Sequence, residues 1–498
     1  MSGLRMPDPD ADVMARRAEI AAALRTILPT DSIITAAESL RVYESDGLTA
    51  YKQLPMIVAL PETTEQVAQI LKYCTAQGIK VVPRGAGTGL SGGALPLADA
   101  ITLGLAKFNR ILDVDIENRA VTAQPGVTNL AITNAVEHAG FYYAPDPSSQ
   151  IACTIGGNVA ENSGGVHCLK YGVTTNNLLG LELVTMDGEV LRIGGKHLDS
   201  DGYDLLGLIT GSEGLLGIIT EVTVRILKKP ASARAVLLGF DSNESAGECV
   251  GRIIANGIIP GGMEMMDKPA IHAAEDFAKA GYPLDVDALL IVELDGPQVE
   301  VDELLKRVIS VAKDTGAVYD RTSKTEAERL KFWAGRKSAF PAIGRLSPDY
   351  YCMDGTIPRK ALPRVLKRMR ELSAQYGLGV ANVFHAGDGN LHPLIMYDAN
   401  KLGELEKAED FGSDILKLCV EVGGVLTGEH GVGVEKRDLM PIMFSEDDLK
   451  QQQRVKCAFD PNSLLNPGKV FPQLHRCAEL GRLHIHRGEV RFPNLPRF

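Results

Sequence analysis

Two short segments, Phe384-His-Ala-Gly-Asp-Gly-Asn-Leu-His392 and, downstream, Gly428-Glu-His-Gly431, place three histidines and carboxylates in glycine-rich turns between strand-like runs. His385 and His392 offer imidazole nitrogens and Glu429 a carboxylate oxygen. That is a three-ligand set of the kind that leaves a coordination position open for substrate on a divalent metal. His430 cannot easily share the ion with its immediate neighbour, which makes it the candidate general base. Imidazole and carboxylate ligands admit Zn²⁺, Mn²⁺, Fe²⁺ or Co²⁺. Without a shared site, the same residues are ordinary polar loop positions.

A second kind of chemistry lies near the N-terminus. Pro83-Arg-Gly-Ala-Gly-Thr-Gly-Leu-Ser-Gly-Gly93 follows a strand-like run and contains G-x-G-x-x-G, with Asp113 and Asp115 farther on. A Rossmann site would need a helix opening directly after the loop, its amides facing the pyrophosphate. Here Pro96 and another strand follow, which leaves a nest of backbone N–H groups that can hold a pyrophosphate without a helix. Thr154-Ile-Gly-Gly-Asn-Val-Ala-Glu-Asn-Ser-Gly-Gly165 supplies small residues and amide side chains that could line a flat polar ring. Two such loops imply one large ligand carrying both phosphates and a heterocycle.

The elements that must position these groups follow from periodicity. Val67, Ile70, Leu71 and Cys74 predict an amphipathic helix over 63–77, stopped by Gly78. Strands are expected at 79–82, 100–105 and 121–124, a helix at 129–138, and a hairpin of 178–185 with 190–193 around Asp187-Gly188. The stretch 145–172 reads as a long ligand-wrapping loop. A β-rich run over 217–226 ends at Lys228-Lys-Pro230, which places a boundary there. Beyond it, helices at 301–315 and 362–376 and a strand at 288–294 describe a second α+β domain. The expected organisation is an N-terminal helical region at 1–52, a ligand-binding domain at 53–230, a second domain at 231–420, and a segment at 421–498, with a helix over 447–459, that returns to the first domain.

The chain has 498 residues, too many for one core at roughly 150 residues per domain. A net charge of −11 with scattered Lys and Arg argues against nucleic acid or an anionic membrane surface as the main partner. The eight cysteines show no Cys-x-x-Cys pair, which excludes the usual iron–sulfur and structural zinc spacings. They read as reduced, mostly buried thiols of a cytoplasmic protein. No secretory signal is expected in the first thirty residues, and every long apolar run is broken by charge or glycine.

The 83–92 loop, Gly156-Gly-Asn158 with Asn162-Ser-Gly-Gly165, and Gly211-Ser-Glu-Gly-Leu-Leu-Gly-Ile218 resemble the FAD-binding domain of vanillyl-alcohol oxidase-type flavoproteins. The C-terminal part resembles that superfamily's D-2-hydroxyacid dehydrogenase branch, and the resemblance covers essentially all of the chain from about residue 40. Tyr351-Cys-Met-Asp-Gly-Thr-Ile-Pro358 and the ending 476–486 are most similar to the FAD-binding catalytic subunits of bacterial glycolate oxidases. The resemblance implies an α+β fold in which a two-part FAD-binding domain is joined by an α+β substrate (cap) domain, with the C-terminal segment completing the active site.

It also implies roles for residues. Arg84, Gly85, Gly87, Thr88, Gly89, Leu90 and Ser91 would hold the FAD pyrophosphate. Asp146, Ser149, Thr154, Gly157, Asn158 and Ser163 would meet the isoalloxazine and ribityl groups. Glu213 and Ile219 would approach the adenine, and Asn466 would close over the flavin. The first loop lacks a histidine for covalent attachment, so the FAD is expected to be dissociable. His385, His392 and Glu429 match the metal ligands, His430 the base, and Arg336 the arginine that grips the substrate carboxylate. The expected reaction is oxidation of a 2-hydroxyacid to the 2-oxoacid, with hydride passing to flavin N5 and the hydroxyl proton to His430. Phe340, Cys352 and Leu394 stand where 2-hydroxyglutarate-using relatives carry polar contacts, which favours a short monoacid, glycolate first and D-lactate second. The resemblance further implies a second FAD-domain-like subunit and an iron–sulfur subunit at the cytoplasmic membrane, the chain itself being cytoplasmic and at most peripheral. Two other readings stand beside it: a flavin subunit that only relays electrons, and a metallohydrolase whose glycine loops bind a nucleotide substrate.

Overall fold

Thr63 accepts the amide of Gln66 and the Gln66 side chain returns to Thr63, a capping box that starts the helix Thr64–Gln77; Gly78 ends it in the left-handed region at φ 66. Its buried face is the predicted Val67, Ile70, Leu71 and Cys74. The protein is described by a computed structural model over residues 6–197 and 202–472. Cys477 and the 476–486 ending lie outside the described residues.

The helix packs in one core with a four-stranded sheet ordered Ile33–Ile34, Ile57–Ala59, Ala100–Gly104, Lys80–Arg84, whose last three strands run parallel. A five-stranded antiparallel sheet follows, ordered Ile111–Asp115, Ala120–Ala123, Ile218–Arg225, Leu178–Val184, Val190–Gly194. The hairpin around Asp187-Gly188 is the predicted one. The strand Ile111–Asp115 was not legible: Leu112 and Val114 are exposed, so no apolar face marks it, and pairing with Ala120–Ala123 forms it. Asp113 and Asp115 both bind Lys196 at the surface, so neither plays the Rossmann ribose role.

The stretch 145–172 is not one long loop. A helix Ile155–Glu161 starts at Thr154, whose Oγ1 accepts the Gly157 amide, and ends at Asn162 in the left-handed region at φ 56; a helical turn Cys168–Tyr171 follows. Paired glycines argue against a helix by propensity. Packing requires one of them, because a Cβ on Gly156 would lie 2.4 Å from the Pro125 side chain.

A seven-stranded sheet starts at Ser232, in the order Ala317–Thr322, Ser232–Phe240, Ala288–Gly296, Gly262–Asp267, Val380–Phe384, Pro393–Tyr397, Asp349–Cys352. Alternate residues divide two cores. Val236 and Leu238 join the helices Asn243–Ala255, Gln298–Asp314, Leu362–Tyr376 and Glu404–Glu421, while Ala235 and Leu237 join Lys268–Ala278 and Glu326–Lys337. The C-terminal segment reaches back to the first sheet. Leu465 bridges Val81, and Lys456 Nζ, on the helix Glu446–Phe459, donates to Leu215 O at 2.7 Å and Leu465 O at 2.9 Å.

Among the described residues, six cysteines are buried free thiols and Cys457 is an exposed one. Among the described residues, no helix is long and apolar enough to cross a membrane.

Candidate active site

The antiparallel register ends at the pair Met265–Phe384, and the next residues on the two strands, Glu264 and His385, meet through their side chains at 2.6 Å; the His385 carbonyl then accepts the amides of Asp388 and Gly389, both at 3.1 Å. This tight turn brings His392 back towards His385, their ring centroids 5.1 Å apart. The Gly428–His430 turn is built on Asp354. A single oxygen, Oδ2, accepts the amides of Gly428 (3.0 Å), Glu429 (3.1 Å) and His430 (2.8 Å) and the Thr427 hydroxyl (2.7 Å).

Glu429 Oε1 therefore lies 3.2 Å from His385 Nε2 and 3.4 Å from His392 Nε2. One ligand atom from each of these three residues falls within 4.8 Å of the others. Both ring nitrogens of His392 are buried without an aligned hydrogen bond, although carboxylates stand close by. Buried donors left open around one point suit a divalent ion. A second group, Asp354, His392 and His430, also converges within 4.8 Å. The sequence did not reveal it.

His430 stacks on His392 at 4.9 Å and 7°. Burial pushes its imidazole down to about 4, reinforced by His392 and Lys436 and opposed by Asp354, so it is neutral near pH 7. Burial alone would raise Glu429, yet His385, His392 and His430 hold it at about 2. Burial opposes the protonation of His385, but Glu264 and Glu429 hold its pKa well above the ordinary imidazole value. A metal on Nε2 would take the place of that proton.

These groups form one wall of a cavity of about 450 Å³ that Arg336 also lines. Gly85, Gly87, Thr88, Gly89 and Leu90 form a second wall, and Ser149, Thr154, Gly157, Asn158 and Ser163 a third. Gly87 sits at φ 73, where a Cβ would collide with the Arg84 guanidinium. Glycine at 87 thus makes room for the Arg84 guanidinium against the loop, and the missing Cβ at Gly87 and Gly89 leaves the backbone N–H groups open to close approach, as a flavin dinucleotide requires.

Other expected residues lie around the cavity rather than in it. Arg84, Glu213 and Ile219 line a smaller space of about 80 Å³ that shares Gly85, Thr154 and Gly157 with the larger one. Arg84 Nη1 donates to Ser45 O at 2.8 Å. Glu213 accepts the amides of Val432 (2.6 Å) and Gly433 (2.7 Å), which steadies the chain after His430. Asn466 Nδ2 ties Gly93 O to Glu213 O, and the Ser91 carbonyl accepts the Val434 and Glu435 amides. Asp146 faces a separate cavity of about 910 Å³, paired with His167 Nδ1 at 3.0 Å. Phe340 lines the main cavity with its ring 6.0 Å from His392, whereas Cys352 and Leu394 are buried in the core behind it.

Three acids went unread. Asp354 stands in the motif 351–358, quoted above without a role for it. Glu264 is an acid flanked by methionines in the buried strand Gly262–Asp267, a signal that sequence alone could have raised. Asp46 lines the cavity, its pKa pushed up to about 6 by burial.

Residues 55–194 match the family model described as FAD binding domain, and residues 229–470 match that of FAD linked oxidases, C-terminal domain. The glycolate oxidase subunit GlcD of Escherichia coli (strain K12) is 57% identical over 98% of this chain and 97% of its own. The Bacillus subtilis (strain 168) GlcD is 39% identical over 86% and 92%. A D-lactate dehydrogenase of Archaeoglobus fulgidus is 34% identical over 84% and 92%. Two solved structures share the fold at low identity. They are 4-ethylphenol oxidase from Gulosibacter chungangensis (17%, TM-score 0.78, 94% of this chain and 99% of that one) and p-cresol methylhydroxylase (18%, TM-score 0.77, 93% and 97%). The α+β fold of vanillyl-alcohol oxidase type is thus as expected, and an FAD domain leaves no place for the metallohydrolase reading. The chain belongs to the FAD-linked oxidases, as an FAD-dependent oxidoreductase of the group that contains the GlcD subunits.

Proposed function

We propose that this FAD-dependent 2-hydroxyacid oxidoreductase acts on a short monoacid, glycolate first and D-lactate second, yielding the 2-oxoacid. One observation carries the reading: Arg336, His385, His392, Glu429 and His430 share a single cavity with the two glycine-rich loops. FAD, bound non-covalently against those loops, supplies the hydride acceptor, and a divalent ion held by His385, His392 and Glu429 supplies a Lewis acid.

The chain's own residues do the rest. Arg336 grips the substrate carboxylate with its planar donors. His430, kept neutral by burial, takes the hydroxyl proton at Nε2, the nitrogen away from Asp354. Phe340 closes the wall beside His392, which suits a substrate with a short tail. Relatives named subunits, and a sequence without iron–sulfur spacings, support electron delivery to a partner subunit or a soluble acceptor.

The test is anaerobic bleaching of the flavin by glycolate, both lactate enantiomers and D-2-hydroxyglutarate, before and after chelation. Fastest bleaching by glycolate, lost on chelation, is expected. No bleaching by any of the four acids would leave the chain as an electron relay.

A further inference from the structure

Glu264 lies at the centre of the seven-stranded sheet, 1% exposed. Its Oε1 is 2.6 Å from His385 Nδ1, and its Oε2 is 2.8 Å from Arg336 Nε and 2.7 Å from Arg336 Nη2. Arg336, also 1% exposed, comes from the helix Glu326–Lys337, and His385 from the end of the strand Val380–Phe384. Nη2 is at ion-pair distance but out of line for a hydrogen bond, so its hydrogens have no aligned partner. An imidazole that donates from Nδ1 to a carboxylate presents Nε2 as its lone pair, and Nε2 is the nitrogen facing Glu429.

We propose that Glu264 is a positioning residue that joins the substrate-carboxylate site to the metal site. One buried carboxylate sets both the direction of Arg336 and the orientation of His385, so the two sites are built and lost together. The inference rests on the roles proposed above for Arg336 and His385, but no step of turnover enters its test. Removing Glu264 leaves the Arg336 guanidinium buried without its anion, free to turn from the cavity, and frees the His385 ring to rotate. Either change alone would be an ordinary local defect. Their joint appearance from one residue distinguishes a coupling role.

Glu264→Gln keeps the volume and one acceptor, and Glu264→Asp keeps the charge but shortens the reach. In each, Zn²⁺ bound per flavin after equilibrium dialysis is measured beside the oxalate affinity of the oxidised enzyme, read from flavin absorbance with and without chelator. Glu264→Gln is expected to keep its flavin, to bind Zn²⁺ at least tenfold more weakly, in line with losses on removing a ligand's outer partner, and to bind oxalate at least tenfold more weakly even when chelated. Glu264→Asp should fall between Gln and wild type in both. Wild-type affinity for either ligand in Glu264→Gln overturns the proposal. If that variant does not fold, Glu264→Asp decides: unchanged affinity for either ligand overturns it, and a joint loss supports it. Failure of glycolate to bleach the wild-type flavin would instead strike the proposed function and leave these binding measurements readable.

Discussion

Asp354 accepts the backbone N–H of His430 at 2.8 Å with the same oxygen that lies 4.0 Å from that residue's Nδ1. Against burial, His430, Lys436 and His392 hold the Asp354 carboxyl well below the usual range, so it stays an anion. It therefore shapes the turn that presents Glu429 and His430, and faces the imidazole that would gain a proton. Asp354→Ala leaves the amides of Gly428, Glu429 and His430 without their acceptor, while the Thr427 hydroxyl can turn to Gly431 O at 3.0 Å; each amide left buried and unpaired costs about 1–3 kcal/mol. Flavin reduction by glycolate in stopped flow should fall at least a hundredfold with a lower melting temperature. Asp354→Asn should recover stability more than rate. Equal recovery of both would reduce Asp354 to a scaffold.

His430→Ala should remain yellow, since His430 Nδ1 is unbonded and the ring stacks on His392 rather than on either glycine loop. Loss of a general base costs roughly 10²–10⁴-fold. The single-turnover reduction rate should drop within that range while the flavin-to-protein ratio stays unchanged. A rate within threefold of wild type would remove His430 as the base.

Metal removal and ligand deletion should agree. His385→Ala and Glu429→Gln are each expected to lower bound metal per flavin and to slow glycolate-dependent bleaching to the level of chelated wild type. Added Zn²⁺ or Mn²⁺ should rescue the chelated wild type, not the variants. Bleaching that survives chelation and both substitutions would exclude the ion from the reaction.

Phe340 fills the cavity wall beside His392, backed by Tyr350 at 6.5 Å. Phe340→Ala should open room for a longer tail and lower the preference for glycolate over D-2-hydroxybutyrate, with methylene discrimination worth about 1–3 kcal/mol. The ratio of kcat/KM values for the two acids reads this directly. An unchanged ratio would mean that substrate length is set elsewhere.

Asp267 caps the helix Lys268–Ala278 and accepts Asn382 Nδ2 at 2.7 Å. Burial pushes its carboxyl up from 3.8 to about 6, against those hydrogen bonds. The folded protein thus holds this proton more tightly than the unfolded chain. Its contribution to stability is full below the unfolded value and lost as pH rises through about 6, a loss on the order of 3 kcal/mol. Asn at this position keeps an oxygen for the cap and can offer its amide to Asn382 Oδ1, which is buried and unbonded. Asp267→Asn should flatten the fall in urea midpoint between pH 4 and 7. A parallel fall in both proteins would point to other groups.

Local structure was legible where neighbouring residues carry a clear apolar period or turn signal. The apolar face of the helix Thr64–Gln77, its Gly78 stop and the Asp187-Gly188 hairpin each depend on a few neighbouring residues. His385, His392, Glu429 and His430 stood out because metal and base chemistry needs those residue types in turns; the structure brings the four to one cavity, and their roles are those proposed above. The helix Ile155–Glu161 was not legible, because contact with Pro125 outweighs the poor propensity of its glycines.

The sequence by itself determined which donors the protein possesses and which short elements carry them. The order of strands decided which donors meet. Placing Gly262–Asp267 beside Val380–Phe384 joins Glu264 to His385, and seating Asp354 beneath the Gly428–His430 turn gives the candidate base its anion. Such pairs are separated by 121 and 76 residues, and only the burial of a shared core selects them over other partners.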